Sequence, residues 1–158
     1  MFRCLNSAYS QLHGFTELTQ GQCEDLKKQF VANLNVDYVS IVLDTDEQVV
    51  GFGVGLPSLA KAMQKAKGNL LPFGWFHLLR ALRKNDTIDL LLIAVDEKYK
   101  NKGVNAMIFH KFAAGITKNG IKYIESTREL EDNTSVQNLW RYLEHDLTKR
   151  ARTYRKSL

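Results

Sequence analysis

The sequence predicts an α+β fold in which helices flank a mixed, mostly antiparallel sheet with one parallel strand pair. Three observations support this prediction. Residues 37–55 have the alternating apolar pattern of a β-hairpin, with turn-forming residues at 44–47. Residues 88–126 read as a strand, a helix and a second strand, which implies a parallel pair with a right-handed crossover. Helical apolar spacing recurs before the hairpin and after the last of these strands.

Length and composition are those of one ordinary globular domain over residues 1–158. Of the 158 residues, 44% are hydrophobic and 25% are charged, so disorder and coiled coil are poor interpretations. No apolar run reaches the roughly 18 residues that a membrane-spanning helix needs, and the N-terminus lacks the apolar core of a secretory signal. Cys4 and Cys23 are too few for a disulfide scaffold. We therefore expect a cytoplasmic protein.

The residues before the hairpin are predicted to form two helices. Residues 1–12 read weakly as a helix. The second helix is clearer, because Thr19 and Gln22 have the spacing of a capping box. Apolar side chains then recur at helical intervals, at Cys23, Leu26, Phe30 and Leu34.

The second strand of the hairpin carries glycine at three successive positions of one face. Val50, Phe52 and Val54 share one face, whereas Gly51, Gly53 and Gly55 share the other. A face without side chains indicates that something approaches the backbone closely, either a packed helix or a ligand. We favour a packed helix.

Residues 57–85 are predicted to form two short helices. In the second, an apolar stripe of Trp75, Leu78, Leu79 and Leu82 runs beside Arg80, Arg83 and Lys84. Such a helix can lie on a membrane surface or cover the domain's own sheet. We favour the second interpretation and expect no stable membrane association.

A basic loop follows the buried strand 88–95 and contains Gly103, after which a helix begins. The first amides of a helix have no internal acceptors, and the helix dipole adds partial positive charge there, so such an end binds phosphate readily. Lys98, Lys100 and Lys102 add positive charge. The loop is therefore a candidate diphosphate site, although a solvated basic loop has the same composition.

The remaining elements complete the predicted order. A helix over 104–118 ends at Asn119-Gly120, which has C-cap chemistry. A strand at 121–126, a helix from about 133 and a last strand at 147–158 follow.

The net charge is +5, yet the basic C-terminal run has Tyr154 as its only aromatic residue, so we expect no nucleic-acid partner. The four histidines share no metal-ligand spacing, and we expect no metal.

The order of elements and the loop together resemble the GNAT superfamily of acyl-CoA-dependent N-acyltransferases. The family's pyrophosphate loop reads Arg/Gln-x-x-Gly-x-Gly/Ala, and this chain has Lys100, Asn101, Lys102, Gly103, Val104 and Asn105 there. The stretches 49–52 and 131–133 are similar to the family's third strand and to its second motif, where Asn133 opens a helix. More narrowly, 71–75 and 130–133 resemble the C-terminal GNAT-like half of larger uncharacterised bacterial proteins.

This resemblance implies an N-acyltransferase that moves an acetyl or other acyl group from acyl-coenzyme A to the primary amine of a small molecule or peptide. Residues 100–105 would hold the diphosphate, and Asn133 would lie beside the pantetheine arm. The strand edge at Ile93, Ala94 and Val95 would pair with that arm, and a backbone N–H near Val95 would polarise the thioester carbonyl. The glycine face and the segment 57–85 would shape the acceptor pocket.

The resemblance also implies a general base and a general acid for the reaction. Glu125 is our first candidate for the base that takes the amine proton, and Asp96 is the second. Where many family members place a tyrosine that protonates the leaving thiolate, this chain has Trp140, whose indole cannot serve as that acid. We name Tyr142, two residues later, as the candidate acid, although it would point elsewhere on the helix.

Two departures from the family keep an alternative open. The family's first strand is missing, so the chain is either a fragment of a longer protein or receives that strand otherwise. An open sheet edge would favour a homodimer or a partner domain. Together with Trp140, the imperfect loop favours the alternative of a non-catalytic GNAT-like domain that binds coenzyme A or serves as a scaffold.

Overall fold

The computed structural model of the chain describes residues 1–12, 14–30, 34–131, 133–152, 154 and 156. Its contacts divide the chain into two units, Met1–Thr127 and Arg128–Leu158. The described strands all lie in the first unit, whereas the helix Thr134–Trp140 and the basic C-terminal run lie in the second.

A four-stranded mixed sheet forms the centre of the first unit. Its strands are β1 (Val39–Leu43), β2 (Val49–Pro57), β3 (Thr87–Val95) and β4 (Tyr123–Ser126), in the spatial order β1-β2-β3-β4. The pairs β1–β2 and β2–β3 are antiparallel, whereas β3–β4 is parallel. The predicted fold class is therefore confirmed, including the hairpin and the single parallel pair.

Among the described residues, six α-helices accompany these strands and begin and end near the predicted positions. They are α1 (Phe2–Tyr9), α2 (Gln20–Phe30), α3 (Ala60–Lys65), α4 (Gly74–Arg83), α5 (Val104–Asn119) and α6 (Thr134–Trp140). The capping box before α2 forms: the Thr19 N–H donates to Gln22 Oε1 at 2.9 Å, and the Gln22 N–H donates to Thr19 Oγ1 at 3.4 Å. Gly120 ends α5 with a φ of +65°, the left-handed conformation expected of a glycine C-cap.

Helix α5 packs against the glycine face of β2. A Cβ atom on Gly53 would lie 2.6 Å from Phe112 Cε2 and 2.8 Å from Ile108 Cγ2, and one on Gly51 would collide with Val104. The preference for a packed helix over a ligand is confirmed. The further prediction that this face shapes an acceptor pocket is wrong, because side chains of α5 fill the space.

Replacing Gly53 by alanine should therefore destabilise the chain. The added methyl group would force the rings and methyls of α5 to shift, and overpacking of this kind typically costs about 1–3 kcal/mol. Urea unfolding measures the loss. Gly55→Ala is the matched control, because its nearest neighbours lie 3.6 Å from the added Cβ and it should change stability by less than about 1 kcal/mol. Equal stability of the two variants would contradict the packing described here.

Helix α1 covers the opposite face of the sheet. Cys4 and Leu5 form a buried cluster with Phe52, Val54 and Ala94. Burial raises the pKa of the Cys4 thiol, and the Asp96 carboxylate acts in the same direction. Strand β3 thus has α1 on one face and α5 on the other, which explains its nearly continuous apolar sequence.

The two helices expected in 57–85 form, but the stripe on α4 does not cover the sheet. Trp75, Leu79 and Leu82 are 48%, 48% and 53% exposed. The expectation that this stripe packs on the domain's own sheet is therefore wrong. The side of α4 that turns inward instead carries Ala81, His77 and Leu78, which are half-buried. Among the described residues, no helix is long and apolar enough to cross a membrane.

The second unit begins with helix α6, which starts after Asn133 as predicted. Its C-terminal run contains no strand among the described residues 147–152, 154 and 156, so the predicted last strand is wrong. Every described side chain from residue 141 onward is exposed, and an isolated polar strand has neither a partner nor an apolar face to stabilise it. Arg152 instead pairs with Glu131, whose carboxylate accepts from the guanidinium Nε at 3.2 Å. Thr153, Arg155, Ser157 and Leu158 lie outside the described residues.

Candidate functional site

The loop after β3 is anchored at its start by two aspartates. The Asp96 N–H donates to the Val50 carbonyl at 2.8 Å, and the Asp96 carboxylate accepts from the Lys98 N–H at 3.1 Å. The Tyr99 hydroxyl donates to Asp44 Oδ2 at 3.0 Å, and this bond raises the pKa of Tyr99. These bonds fix a 3-10 turn at Glu97–Tyr99, and the chain then turns towards α5.

The bend that leads into α5 leaves a row of backbone amides without acceptors. Asn101 and Gly103 have φ values of +60° and +82°, so the backbone reverses sharply there. Within the described part of the chain, no acceptor is found for the N–H groups of Asn101, Gly103, Val104, Asn105 and Ala106. A Cβ atom built on Gly103 would have no atom within 4 Å. The bend is therefore open, and its amides are available to an anion.

The three lysines of this loop are exposed and make only weak contacts. Lys100 Nζ lies 2.5 Å from Glu97 Oε2, and Lys102 Nζ lies 5.2 Å from the centre of the Tyr99 ring. Exposed pairs of this kind contribute little free energy, so both ammonium groups can turn to an anion at low cost. Lys98 carries a further exposed positive charge.

The edge of β3 is open along its C-terminal half. Pairing with β4 runs from Thr87 to Leu90 and then stops, although β3 continues to Val95. Successive residues of a strand point their peptide groups to opposite edges, and the Asp96 N–H is bonded to β2. The N–H and C=O groups of Ala94 therefore also face β2. The N–H groups of Ile93 and Val95 point to the opposite edge of β3, where β4 no longer pairs with it.

A tyrosine that the sequence did not single out lies at this open edge. The Tyr9 hydroxyl, on α1, donates to the Ile93 carbonyl at 2.9 Å. Burial raises the pKa of Tyr9, so its phenol is protonated at neutral pH. Because 84 residues separate the two partners, no local pattern in the sequence indicated the contact.

Two carboxylates lie side by side where the parallel strands still pair. Asp89 of β3 is in register with Glu125 of β4, so the two side chains share one face of the sheet. Asp89 is half-buried and Glu125 is exposed. The ammonium group of Lys61, on α3, donates a hydrogen bond to Asp86, and this bond raises the pKa of Lys61; the charge of Glu125 adds to that rise. Sequence reasoning missed Asp89 because it is a lone polar residue within an apolar run.

No protein-family model matches the chain. Protein YghO of Escherichia coli strain K12 is 26% identical over 159 aligned residues, which cover 97% of this chain and 40% of that protein. A bacterial ceramide synthase of Caulobacter vibrioides is 35% identical over 79 residues, which cover 50% of this chain and 20% of that protein. The chain thus spans less than half the length of these curated relatives.

Solved structures of acetyltransferases have the same architecture. An aminoglycoside acetyltransferase from an uncultured soil metagenomic sample superposes with a TM-score of 0.56 at 13% identity, covering 99% of this chain and 84% of that one. The aminoglycoside acetyltransferase AAC(6')-Iy, solved with a bisubstrate analogue that contains coenzyme A, gives 0.54 at 16% identity, covering 99% and 92%. The chain has the GNAT fold.

Within this GNAT fold, the residues predicted from the sequence fall into two separate groups. In the first unit, the loop 100–105 follows the open edge at 93–95 closely in the chain. The carboxylate Glu125 lies farther along the sheet, because its partner in register is Asp89, four residues before Ile93. Asp96, the second candidate base, already uses a carboxylate oxygen to cap the loop. Across the described residues, no group of three or more His, Cys, Asp and Glu side chains is arranged to hold a metal ion.

The other predicted residues of the GNAT-like site belong to the second unit. The Asn133 N–H donates to the Leu130 carbonyl at 3.1 Å, immediately before α6. The Trp140 indole N–H donates to Glu129 Oε1 at 2.8 Å, so this side chain is held by a carboxylate of its own unit. Tyr142 follows the end of α6 and is 89% exposed.

Proposed function

We propose that this chain transfers an acyl group, most simply acetyl, from acyl-coenzyme A to a primary amine. One observation carries the proposal: the open edge of β3 ends at Val95 and leads directly into a bend where, among the described residues, no acceptor is found for the N–H groups of residues 101 and 103–106. An open strand edge can bind a peptide-like arm, and the bend that follows it can bind a diphosphate joined to that arm. Coenzyme A has both parts in that order.

The residues of the bend fit the diphosphate of the cofactor. The N–H groups of residues 101 and 103–105 would donate to its oxygens, and the N-terminal end of the α5 dipole would favour its negative charge. Lys100 and Lys102 would add charge-assisted contacts. Open space around Gly103 allows the ligand to approach the backbone closely.

The open edge of β3 would orient the reactive end. The Ile93 N–H would pair with an amide of the pantetheine arm, and the Val95 N–H would donate to the thioester oxygen and stabilise the charge that develops there. Ala94 keeps the edge in place through its bonds to β2.

Acyl-coenzyme A supplies an activated thioester, so the protein needs only to move protons. Glu125 would accept the proton that the amine loses as its nitrogen bonds to the carbonyl carbon. Asp89, beside it in register, is the nearest second carboxylate. A tyrosine hydroxyl would protonate the thiolate released when the carbon–sulfur bond breaks, and the candidates are Tyr142 and Tyr9.

The comparisons support a primary amine as the acceptor. One relative is named as a ceramide synthase, and ceramide is the amide of a fatty acid with a long-chain amine. Two of the similar solved structures are acetyltransferases of aminoglycosides, which are amines. Both reactions form an amide at a primary amino group. We therefore propose an amine of a small molecule or peptide as the acceptor class.

A specific observation favours the alternative of a non-catalytic domain that binds coenzyme A. Trp140 stands where an acid is expected, and its N–H already donates to Glu129. Tyr142 is 89% exposed, and among the described residues no hydrogen bond to its hydroxyl is found. A domain of this kind would keep the bend and the open edge while lacking acid catalysis.

Thermal unfolding with acetyl-coenzyme A, followed by a thiol-release assay, tests both functions. At about 100 times its dissociation constant, a ligand stabilises the native state by about 2.7 kcal/mol, so we expect a clear rise in the unfolding temperature. Thiol release across a panel of primary amines would then establish catalysis. Stabilisation without thiol release would favour the non-catalytic domain, and the absence of any shift at millimolar ligand would contradict both proposals.

A further inference from the structure

The segment between β2 and β3 has an unusual combination of charge and exposed apolar surface. We call residues 59–84, which contain α3, α4 and the loop that joins them, the basic hairpin. From 57 to 85 the sequence has six lysines and arginines and no aspartate or glutamate. Eight of its large apolar side chains are exposed: Met63, Leu70, Leu71, Phe73, Trp75, Phe76, Leu79 and Leu82.

The apolar side chains of the basic hairpin are concentrated in its loop and along one stripe of α4. In the loop, Leu71 is 79% exposed and Phe73 is 73% exposed. On α4, Trp75, Leu79 and Leu82 follow one another at intervals of four and three residues and form a single stripe. Proteins rarely expose this many large apolar side chains within one short segment unless the segment binds something.

The cations of the basic hairpin are placed next to this apolar surface and are largely unpaired. Lys61 pairs with Asp86 at 2.8 Å. Within the described chain the other five have no carboxylate partner: Lys65, Lys67, Arg80, Arg83 and Lys84. Arg80 and Arg83 lie on the face of α4 next to the apolar stripe. The surface therefore complements a partner that is both apolar and negatively charged.

We propose that the basic hairpin docks the chain onto the surface of a lipid bilayer that contains anionic lipids. Leu71, Phe73 and Trp75 would enter the boundary between headgroups and acyl chains, and the arginines and lysines would contact lipid phosphates. Tryptophan is the side chain most characteristic of that boundary. A nucleic acid would match the cations but leave the leucines and phenylalanines in water. This replaces the expectation of no stable membrane association, which assumed that the stripe covers the sheet.

Vesicle co-sedimentation of the whole chain, with no acyl donor present, tests the proposal independently of any acyltransferase activity. We expect binding to vesicles of phosphatidylcholine with about one-third phosphatidylglycerol, and much weaker binding to phosphatidylcholine alone. Leu71→Ser/Phe73→Ser should weaken binding by roughly tenfold or more, because it removes the inserted apolar surface. Arg80→Gln/Arg83→Gln should remove most of the preference for anionic vesicles.

Matched controls separate docking from general surface effects. Val36→Ser removes an apolar side chain that is 78% exposed outside the basic hairpin, and Lys27→Gln/Lys28→Gln removes two charges from α2; both should bind vesicles as the unmodified chain does. In a Trp140→Phe variant, Trp75 is the only tryptophan, and its emission should shift to the blue when vesicles are added.

Three results would overturn the proposal. The first is a chain that binds no vesicles, or one whose binding is unchanged in both hairpin variants. The second is self-association that disappears in Leu71→Ser/Phe73→Ser, because the surface would then join two copies of the chain. The third is binding to DNA or RNA that depends on Arg80 and Arg83 but not on Leu71 and Phe73.

Discussion

Replacing Gly103 by aspartate should abolish the stabilisation that coenzyme A gives the chain, whereas asparagine should only weaken it. Gly103 has a φ of +82° and open space where a Cβ would lie. Aspartate and asparagine tolerate this left-handed conformation better than other side chains do. The two variants have the same size and differ in charge, so a comparison between them isolates the electrostatic part of ligand binding.

The expected difference follows from Coulomb's law. A carboxylate about 5 Å from a diphosphate charge, at an effective dielectric constant of about 20, costs about 3 kcal/mol. We therefore expect the dissociation constant to rise by roughly a hundredfold for Gly103→Asp. Isothermal titration calorimetry with coenzyme A measures both constants, and urea unfolding without ligand should show that the two variants are about equally stable. Undiminished affinity in Gly103→Asp would place the cofactor elsewhere.

Local sequence patterns predicted the elements that local chemistry determines. The capping box at Thr19 and Gln22 forms before α2, and Gly120 ends α5. The glycines of β2 predicted a close neighbour, and α5 is that neighbour. In each case the necessary information lies within a few residues, because a cap, a turn or a missing side chain acts over one helical turn or one strand.

The predictions that were wrong concern elements whose structure depends on residues far away in the chain. An apolar stripe on α4 shows that the helix has two unlike faces, but it does not show what covers the apolar one; in the structure, Trp75 and Leu79 remain exposed. A run of residues with strand propensity at 147–158 likewise needs a neighbouring strand, and none is found there among the described residues. Amphipathicity and propensity are local properties, whereas packing is not.

The same distinction applies to the candidate site, where some features follow from the local sequence and others depend on packing. The open bend at Gly103 could be predicted because a glycine before a helix, with basic neighbours, is a local pattern. The bond from Tyr9 to the Ile93 carbonyl and the pairing of Asp89 with Glu125 depend on how α1 packs and on the register of β3 with β4. Neither can be derived from spacing along the chain.

If the chain is catalytic, Glu125→Gln should lower kcat by about 100-fold or more without weakening coenzyme A binding. The amide keeps the size of the side chain but cannot accept the amine proton, and general-base catalysis typically contributes a factor of about 100 to 10,000. Initial rates of thiol release, with acetyl-coenzyme A and an amine that the panel identifies, measure the effect. Glu24→Gln on α2, which also removes one exposed carboxylate, is the matched control.

Asp89 provides the decisive comparison, because it lies beside Glu125 in register on the adjacent strand. We expect Asp89→Asn to lower kcat by less than about tenfold, since Glu125 remains to accept the proton. A large loss in Asp89→Asn with little change in Glu125→Gln would assign the base to β3 instead of β4. Unchanged kcat in both single variants and in the double variant would show that neither carboxylate takes the proton, because the double variant has lost both of these bases.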